Sequence, residues 1–283
     1  MKKPVKSAKA ASAVDEAVNW ANTAIQSGRP VDAERVLRDV LAKTPRSPNA
    51  LQALGRALLA QQRPRDAIEP LEAALRHGPN PVIETNLGIA LEQSGRTADA
   101  VTCLQSAIDR QPPFEHPFAE LGGLLLSLKR QSEAEAVLKR GLAVAPNSVE
   151  MAVLLGGIYL ARAERNDAKL LFARTLVNAP SDPRALYGMG AALMLEGDFA
   201  RAAQRLQQAA AQDPTDVQTR LSLGTCLLEL RRWDEGLTAL RIAIQLMPQA
   251  YPAALKILVA SGRGRFWLKP SAAAGLLRPA ARF

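Results

Sequence analysis

The sequence predicts an all-α chain built as a linear array of helix pairs, and three observations carry that prediction. Only 4% of the 283 residues are aromatic, and Leu and Ala bear the apolar load, a mixture that favours helix over a single large globular core. The strand formers Val, Ile, Thr, Tyr and Phe never gather into alternating runs. Finally, Gly55, Gly88, Gly122, Gly156, Gly190 and Gly224 recur at intervals of 33, 34, 34, 34 and 34 residues, a period typical of stacked repeats.

Other positions keep the same period. Twelve residues after each glycine stands a small residue, Ala67, Ala100, Ala134, Ala168, Ala202 or Gly236, and Ala33 extends the series backwards. Twelve further on, prolines close the units at Pro45, Pro79, Pro112, Pro146, Pro180, Pro214 and Pro248. Seven units result: 14–47, 48–80, 81–114, 115–148, 149–182, 183–216 and 217–250. Each reads as two helices, because apolar residues fall at three- and four-residue spacing on both sides of a short polar turn. In the second unit Leu51, Leu54, Leu58 and Leu59 mark the first helix, residues 61–65 the turn, and Ala67, Ile68, Leu71 and Leu75 the second helix. Equivalent turns hold Gly28, Gly95 and Gly197, where glycine ends a helix at low steric cost. The closing proline lacks an amide hydrogen and cannot extend the second helix.

The small residues have a mechanical purpose. Two antiparallel helices cross closely only where side chains are small, so Gly and Ala mark the crossing and larger residues fill its flank. The flank series is Leu37, Leu71, Leu104, Leu138, Phe172, Leu206 and Leu240.

Leu-Gly in the first helix, Ala in the second and a closing Pro resemble the tetratricopeptide repeat (TPR) family. The pairs are Leu54-Gly55, Leu87-Gly88, Leu121-Gly122, Leu155-Gly156, Met189-Gly190 and Leu223-Gly224, and only the first unit departs, with Trp20-Ala21. The resemblance implies a right-handed superhelical solenoid of seven TPR helix-turn-helix units, with the first helices lining a concave groove that holds a partner's peptide or helix. An array of this kind also needs a terminal cap. Residues 251–261 are expected to form the capping helix, with Phe266, Trp267 and Leu268 folding back over it and a short helix near residues 271–278.

Charge is segregated. Residues 1–13 carry Lys2, Lys3, Lys6 and Lys9 without an acid, and residues 251–283 carry Lys256, Arg263, Arg265, Lys269, Arg278 and Arg282 without an acid. All 27 acidic residues lie in 14–250 and face 26 basic ones there. Residues 1–13 are read as a basic, disordered tail and 262–283 as a basic C-terminal segment. No apolar h-region follows the lysines and no apolar run approaches the length of a membrane span, so a cytoplasmic protein is expected.

The residues give no catalytic, metal or cofactor constellation. Cys103 and Cys226 are not spaced as a metal or redox pair and read as buried thiols. His77 ends a helix and His116 begins one, neither beside a nucleophile. Gly122-Gly123 and Gly156-Gly157 lie within helices and lack the strand-loop-helix setting of a phosphate loop. We therefore expect a non-enzymatic adaptor or scaffold with no cofactor.

Carried over position by position, the family's inward-facing places are Asn19, Asn22, Asn49, Gln52, Arg56, Thr85, Asn86 and Glu92 in units one to three, a polar half. Ala119, Gly123, Val153, Gly157, Leu160, Tyr187, Ala191, Met194, Leu221 and Thr225 form an apolar half. The basic clamp of chaperone-tail binders is missing, with Val18, Gln52, His116 and Ala119 at its places, and the asparagine ladder of the sugar-transferase relatives is mostly absent. A second helix-interior glycine costs about 1 kcal/mol relative to Ala. Gly123 and Gly157 therefore require either close approach of a partner's backbone or tight packing on a neighbouring repeat. Tyr187 and Met194 have two readings as well, groove surface or inter-repeat core. The main expectation is one protein partner, a peptide or amphipathic helix. The alternatives are an anionic membrane or nucleic acid met through the basic tails, with Arg263, Arg265, Phe266 and Trp267 as the contacts, or a homo-oligomer formed by tail insertion.

Overall fold

In most first helices a side-chain cap, an early proline or both fix where the chain turns helical. Ser47, Asn80, Ser148, Asp182 and Asp216 accept backbone N–H groups of the first turn, and Pro48, Pro81 and Pro183 occupy the first helical position. The computed structural model describes residues 5–260 and 275–277, with side chains from residue 13 onward. Every described regular element is helical.

The chain divides into two compact bodies at Ala145/Pro146. The first contains α1 (Val5–Gln26), α2 (Pro30–Lys43), α3 (Pro48–Ala60), α4 (Pro64–Leu75), α5 (Pro81–Gln93), α6 (Thr97–Ile108), α7 (His116–Ser127) and α8 (Gln131–Val144). In the second are α9 (Val149–Ala161), α10 (Arg165–Asn178), α11 (Pro183–Glu196), α12 (Phe199–Gln212), α13 (Val217–Glu229), α14 (Trp233–Leu246) and, after a 3-10 turn at Pro248–Ala250, α15 (Tyr251–Ala260). Within each body helices pack in sequence order, each on the next, and first helices also pack on first helices: α1, α3, α5 and α7 in one body, α9, α11, α13 and α15 in the other. Each closing proline lies two to four residues beyond a second helix. Helix α1 starts at Val5, inside the stretch read from sequence as a tail; Ala8, Ala10, Ala11 and Ala13 there are strong helix formers.

The glycine period is a packing device. Sixteen residues after each periodic glycine stands the flank residue of the second helix, and the two meet. A Cβ at Gly55 would lie 2.5 Å from Leu71 Cγ, one at Gly88 2.6 Å from Leu104 Cγ, and one at Gly224 2.6 Å from Leu240 Cδ2. The alanines twelve residues after each glycine, Ala67, Ala100, Ala134, Ala168 and Ala202, are fully buried, as is Ala33. Large side chains cannot replace either without overpacking that costs about 1–3 kcal/mol.

The turn inside each pair repeats one backbone state. Gly28, Gln62, Gly95, Lys129, Ala163, Gly197 and Arg231 all have φ between 56° and 83°. Only three of these seven are glycines, so the array holds four L side chains in the left-handed region, each at a cost of about 1–2 kcal/mol.

Beyond α15 the chain returns to the array. Residues 275–277 form a helical turn, Leu277 is 2% exposed among Leu221, Leu228, Leu240, Ala254 and Leu258, and Arg241 donates two hydrogen bonds to the Leu276 carbonyl, at 3.0 and 2.8 Å. Part of the segment expected to fold back as a cap thus sits on the terminal core. The residues expected to lie over α15, Phe266, Trp267 and Leu268, fall outside the described residues, as do Arg263 and Arg265.

Candidate functional site

Within the first body, the polar positions carried over from the family gather at the junction of α1 and α3. Asn22, Asn49, Gln52 and Arg56 line one recess together with Val18 and Ala53. Arg56 donates to Asn22 Oδ1 at 3.1 Å, one whole repeat away in sequence, so this pair ties successive first helices together. Thr85 is 1% exposed and donates to the Pro81 carbonyl at 2.6 Å, which leaves it no reach to a partner. Asn86 is half-buried, and its amide nitrogen is enclosed with no hydrogen-bond acceptor. Burial raises the pKa of Glu92 above the ordinary value. Ala119 is buried, whereas a Cβ at Gly123 would meet nothing within 4 Å.

In the second body the apolar positions divide between core and surface. Val153 and Leu160 are half-buried against Ala168, Phe172, Ala185 and Ala192. Tyr187 and Met194 are half-buried against the cluster around Leu193, Ala202 and Cys226, so both readings given to them apply in part. Ala191 is half-buried and Gly157 exposed, and a Cβ at Gly157 would also meet nothing within 4 Å. At Gly123 and Gly157, therefore, the explanation by tight packing fails: no neighbour crowds the place that a Cβ would take.

Three of the carried-over residues, Met194, Leu221 and Thr225, come together in an open cleft of about 720 Å³. Its apolar wall is completed by Phe199, Ile257 and Ala253, and its polar groups are Gln218, Ser222, Glu229 and Lys256. Thr225 donates to the Leu221 carbonyl at 3.0 Å, so its hydroxyl is bonded within its own helix. The arrangement offers an apolar floor with one cation and one anion at the rim, suited to an amphipathic segment.

Neither thiol is poised for chemistry. Burial, reinforced by the carboxylates of Glu84 and Glu72, pushes Cys103 up to about 11, and burial pushes Cys226 up to about 12. Thiolate is thus scarce at neutral pH. No group of metal-ligating side chains occurs among the described residues, and none of their helices is long and apolar enough to cross a membrane.

Two polar clusters escaped the sequence reading. Glu84, 5% exposed, takes a bidentate pair from Arg110, with Nη2 donating at 2.6 Å and Nε at 3.2 Å, and its backbone carbonyl accepts from Cys103 Sγ. Glu34 accepts from Arg38 at 2.8 Å, Gln61 at 2.8 Å and Arg63 at 2.9 Å, locking α2 to the turn between α3 and α4. A signal for the first existed: Glu84 stands where units two, four, five and six have Leu51, Phe118, Ala152 and Leu186, and only unit seven, with Arg220, also places a charge there.

Two tetratricopeptide repeat family models match residues 24–85 and 85–149, and the model for anaphase-promoting complex, cyclosome, subunit 3 matches residues 162–243. No curated protein sequence matches the chain. Among solved structures, a tetratricopeptide repeat protein from Parabacteroides merdae is similar at a TM-score of 0.62 and 18% identity, over 87% of this chain and 98% of that one. PilF of Pseudomonas aeruginosa gives 0.67 and 21% identity over 75% and 97%. The Cut9-Hcn1 hetero-tetramer of the APC/C gives 0.69 and 15% over 85% of this chain but 48% of that one. At these identities the likeness is one of fold. Together with the Leu-Gly, Ala and Pro periodicity and the helix pairs that it produces, the matches show that the chain belongs to the tetratricopeptide repeat family, whose members serve generally as protein-interaction scaffolds.

Proposed function

We propose that the chain is a non-enzymatic scaffold that holds a peptide or amphipathic helix of a partner protein on the first-helix surface of the second body, across Gly157, Ala191 and the cleft of Met194, Leu221 and Thr225. The observation that carries this reading is the open space over Gly157. A glycine in a helix interior costs about 1 kcal/mol relative to Ala, and here no packing neighbour accounts for it. What remains is the access that a bare backbone gives to another chain. Gly123 supplies the same feature in the first body.

The test is Gly157→Leu. Because Gly157 is exposed, a Cβ there meets nothing within 4 Å and leucine favours helix, the variant should fold at least as stably as the parent. Parent and variant are immobilised and exposed to lysate at low and high salt. A partner kept by the parent at high salt and lost by the folded variant supports the reading; equal capture by both excludes this surface. Replacing Lys2, Lys3, Lys6, Lys9, Arg263, Arg265 and Lys269 by Gln in the full chain, with the partner retained, separates groove binding from the basic tails.

A further inference from the structure

Helix α10 differs from the other second helices on the face that it turns to solvent. Leu170 and Val177 are 71% and 79% exposed, and Ala173 between them is exposed as well. The matching positions of the other units hold only Arg, Lys, Glu, Asp, Thr, Gln or Ala, for instance Glu69 and Arg76 in α4. Spaced three and four residues apart, Leu170, Ala173 and Val177 form one apolar stripe along the helix.

The charges beside the stripe differ too. In four units the acid near the start of the second helix is held by an arginine three residues before it: Arg63 with Asp66 and Arg96 with Asp99, both at 2.7 Å, and Arg130 with Glu133 and Arg232 with Glu235, both at 2.6 Å. In α10 the arginine is replaced by Glu164, which faces Arg162 instead. Asp167 is left with no cationic partner among the described residues, and Arg174 with no carboxylate. Seven residues apart, Asp167 and Arg174 lie on the same flank of the stripe.

That flank is self-complementary in one orientation. When two such helices pair antiparallel about a two-fold axis, like flanks face each other. Asp167 of one copy then meets Arg174 of the other, twice over. We propose that α10 is a homodimer surface, with Leu170, Ala173 and Val177 forming the seam between two antiparallel copies and Asp167 and Arg174 forming reciprocal ion pairs across it. Three apolar side chains per copy are few beside the roughly 800 Å² per partner of a standard interface, so the dimer is weak and concentration-dependent.

Sedimentation equilibrium on the full chain, from micromolar to millimolar concentration, should show a reversible monomer–dimer equilibrium. Leu170→Glu with Val177→Glu, both at exposed positions and harmless to the fold, should raise the dissociation constant about tenfold or more. Asp167→Arg alone and Arg174→Asp alone should each weaken the dimer, and the two combined should restore it. A Leu170→Cys chain should cross-link to its second copy near the two-fold axis. Val177→Cys should not, since antiparallel pairing sets its two copies about 20 Å apart at 1.5 Å rise per residue. A monomer at every concentration, a dimer indifferent to Leu170→Glu, a charge swap that fails to restore association, or cross-linking at both cysteine positions would each overturn the proposal.

Discussion

The ring of Phe172 fills the space that a Cβ on Gly188 would need. It also faces Gly156, the periodic glycine of its own unit, so the ring lies between two bare backbones. Elsewhere the flank position is leucine, and the position equivalent to Gly188 carries Ala53, Asn86, Glu120, Leu154 or Ser222. One enlarged side chain is thus matched by one deleted side chain in the next repeat. Gly188→Ala should destabilise the protein by about 1–3 kcal/mol through overpacking. Phe172→Leu alone should cost about 1–2 kcal/mol through the void that it leaves. The double variant should lose less than the two single losses combined, and urea titration of all four chains as a double-mutant cycle measures that coupling.

The turn inside each helix pair stores strain at four places, of which Ala163, with φ of 56°, is the simplest to relieve. Ala163→Gly removes the Cβ clash of the left-handed region, and a gain of about 1 kcal/mol in unfolding free energy is expected. Gly197→Ala, at φ of 81° in the equivalent turn, should lose a similar amount. Thermal and urea denaturation on the two variants checks both signs.

These two cases show how far the sequence could be read. The period placed the helix pairs, because Gly at the crossing, replaced only by Ala21 in the first unit, and Pro at the close act locally and alike from unit to unit. Gly28, Gly95 and Gly197 announced the left-handed turn, but Gln62, Lys129, Ala163 and Arg231 did not, since the backbone there turns left-handed without the residue type that favours it. The candidate surface was legible only in part. The family's inward positions include Thr85 and Ala119, which the fold buries, although the same place is half-buried at Gln52 and Tyr187: it lies on the border of groove and core, and side-chain size decides on which side it falls. The openness above Gly157 depends on the size of side chains in other helices and has no local signature.

Glu34 offers a pH test. Burial alone would raise its pKa, but hydrogen bonds from Gln61 and Arg38 and the charges of Arg63 and Arg38 outweigh that and hold it below the ordinary carboxylate value. A carboxylate whose folded pKa is depressed contributes stability above its unfolded pKa, and this is lost as pH falls through the folded value. The parent should therefore lose stability between its ordinary pKa and more acid pH more steeply than Glu34→Gln does. Near neutrality the variant should be weaker by about 1–2 kcal/mol, the scale of hydrogen bonds to a charged group. Urea midpoints at neutral and acid pH check both statements.

The return of the chain at residues 275–277 closes the apolar end of the array. Leu277 joins Leu221, Leu228, Leu240 and Leu258, residues of α13, α14 and α15, and Arg241 anchors the turn by its two bonds to the Leu276 carbonyl. In a stacked array each repeat is stabilised by its neighbours, so loss of a terminal contact loosens the last pair before the rest. Leu277→Ala should cost about 2–3 kcal/mol, toward the low end for a buried leucine because the site lies at an edge. Hydrogen exchange should show the amides of α14 and α15 losing protection first, with those of α3 to α6 unchanged. Arg241→Ala, which removes the anchor but no core side chain, should reproduce the pattern with a smaller loss. Uniform loss of protection across both bodies would mean instead that Leu277 supports the whole array rather than its end.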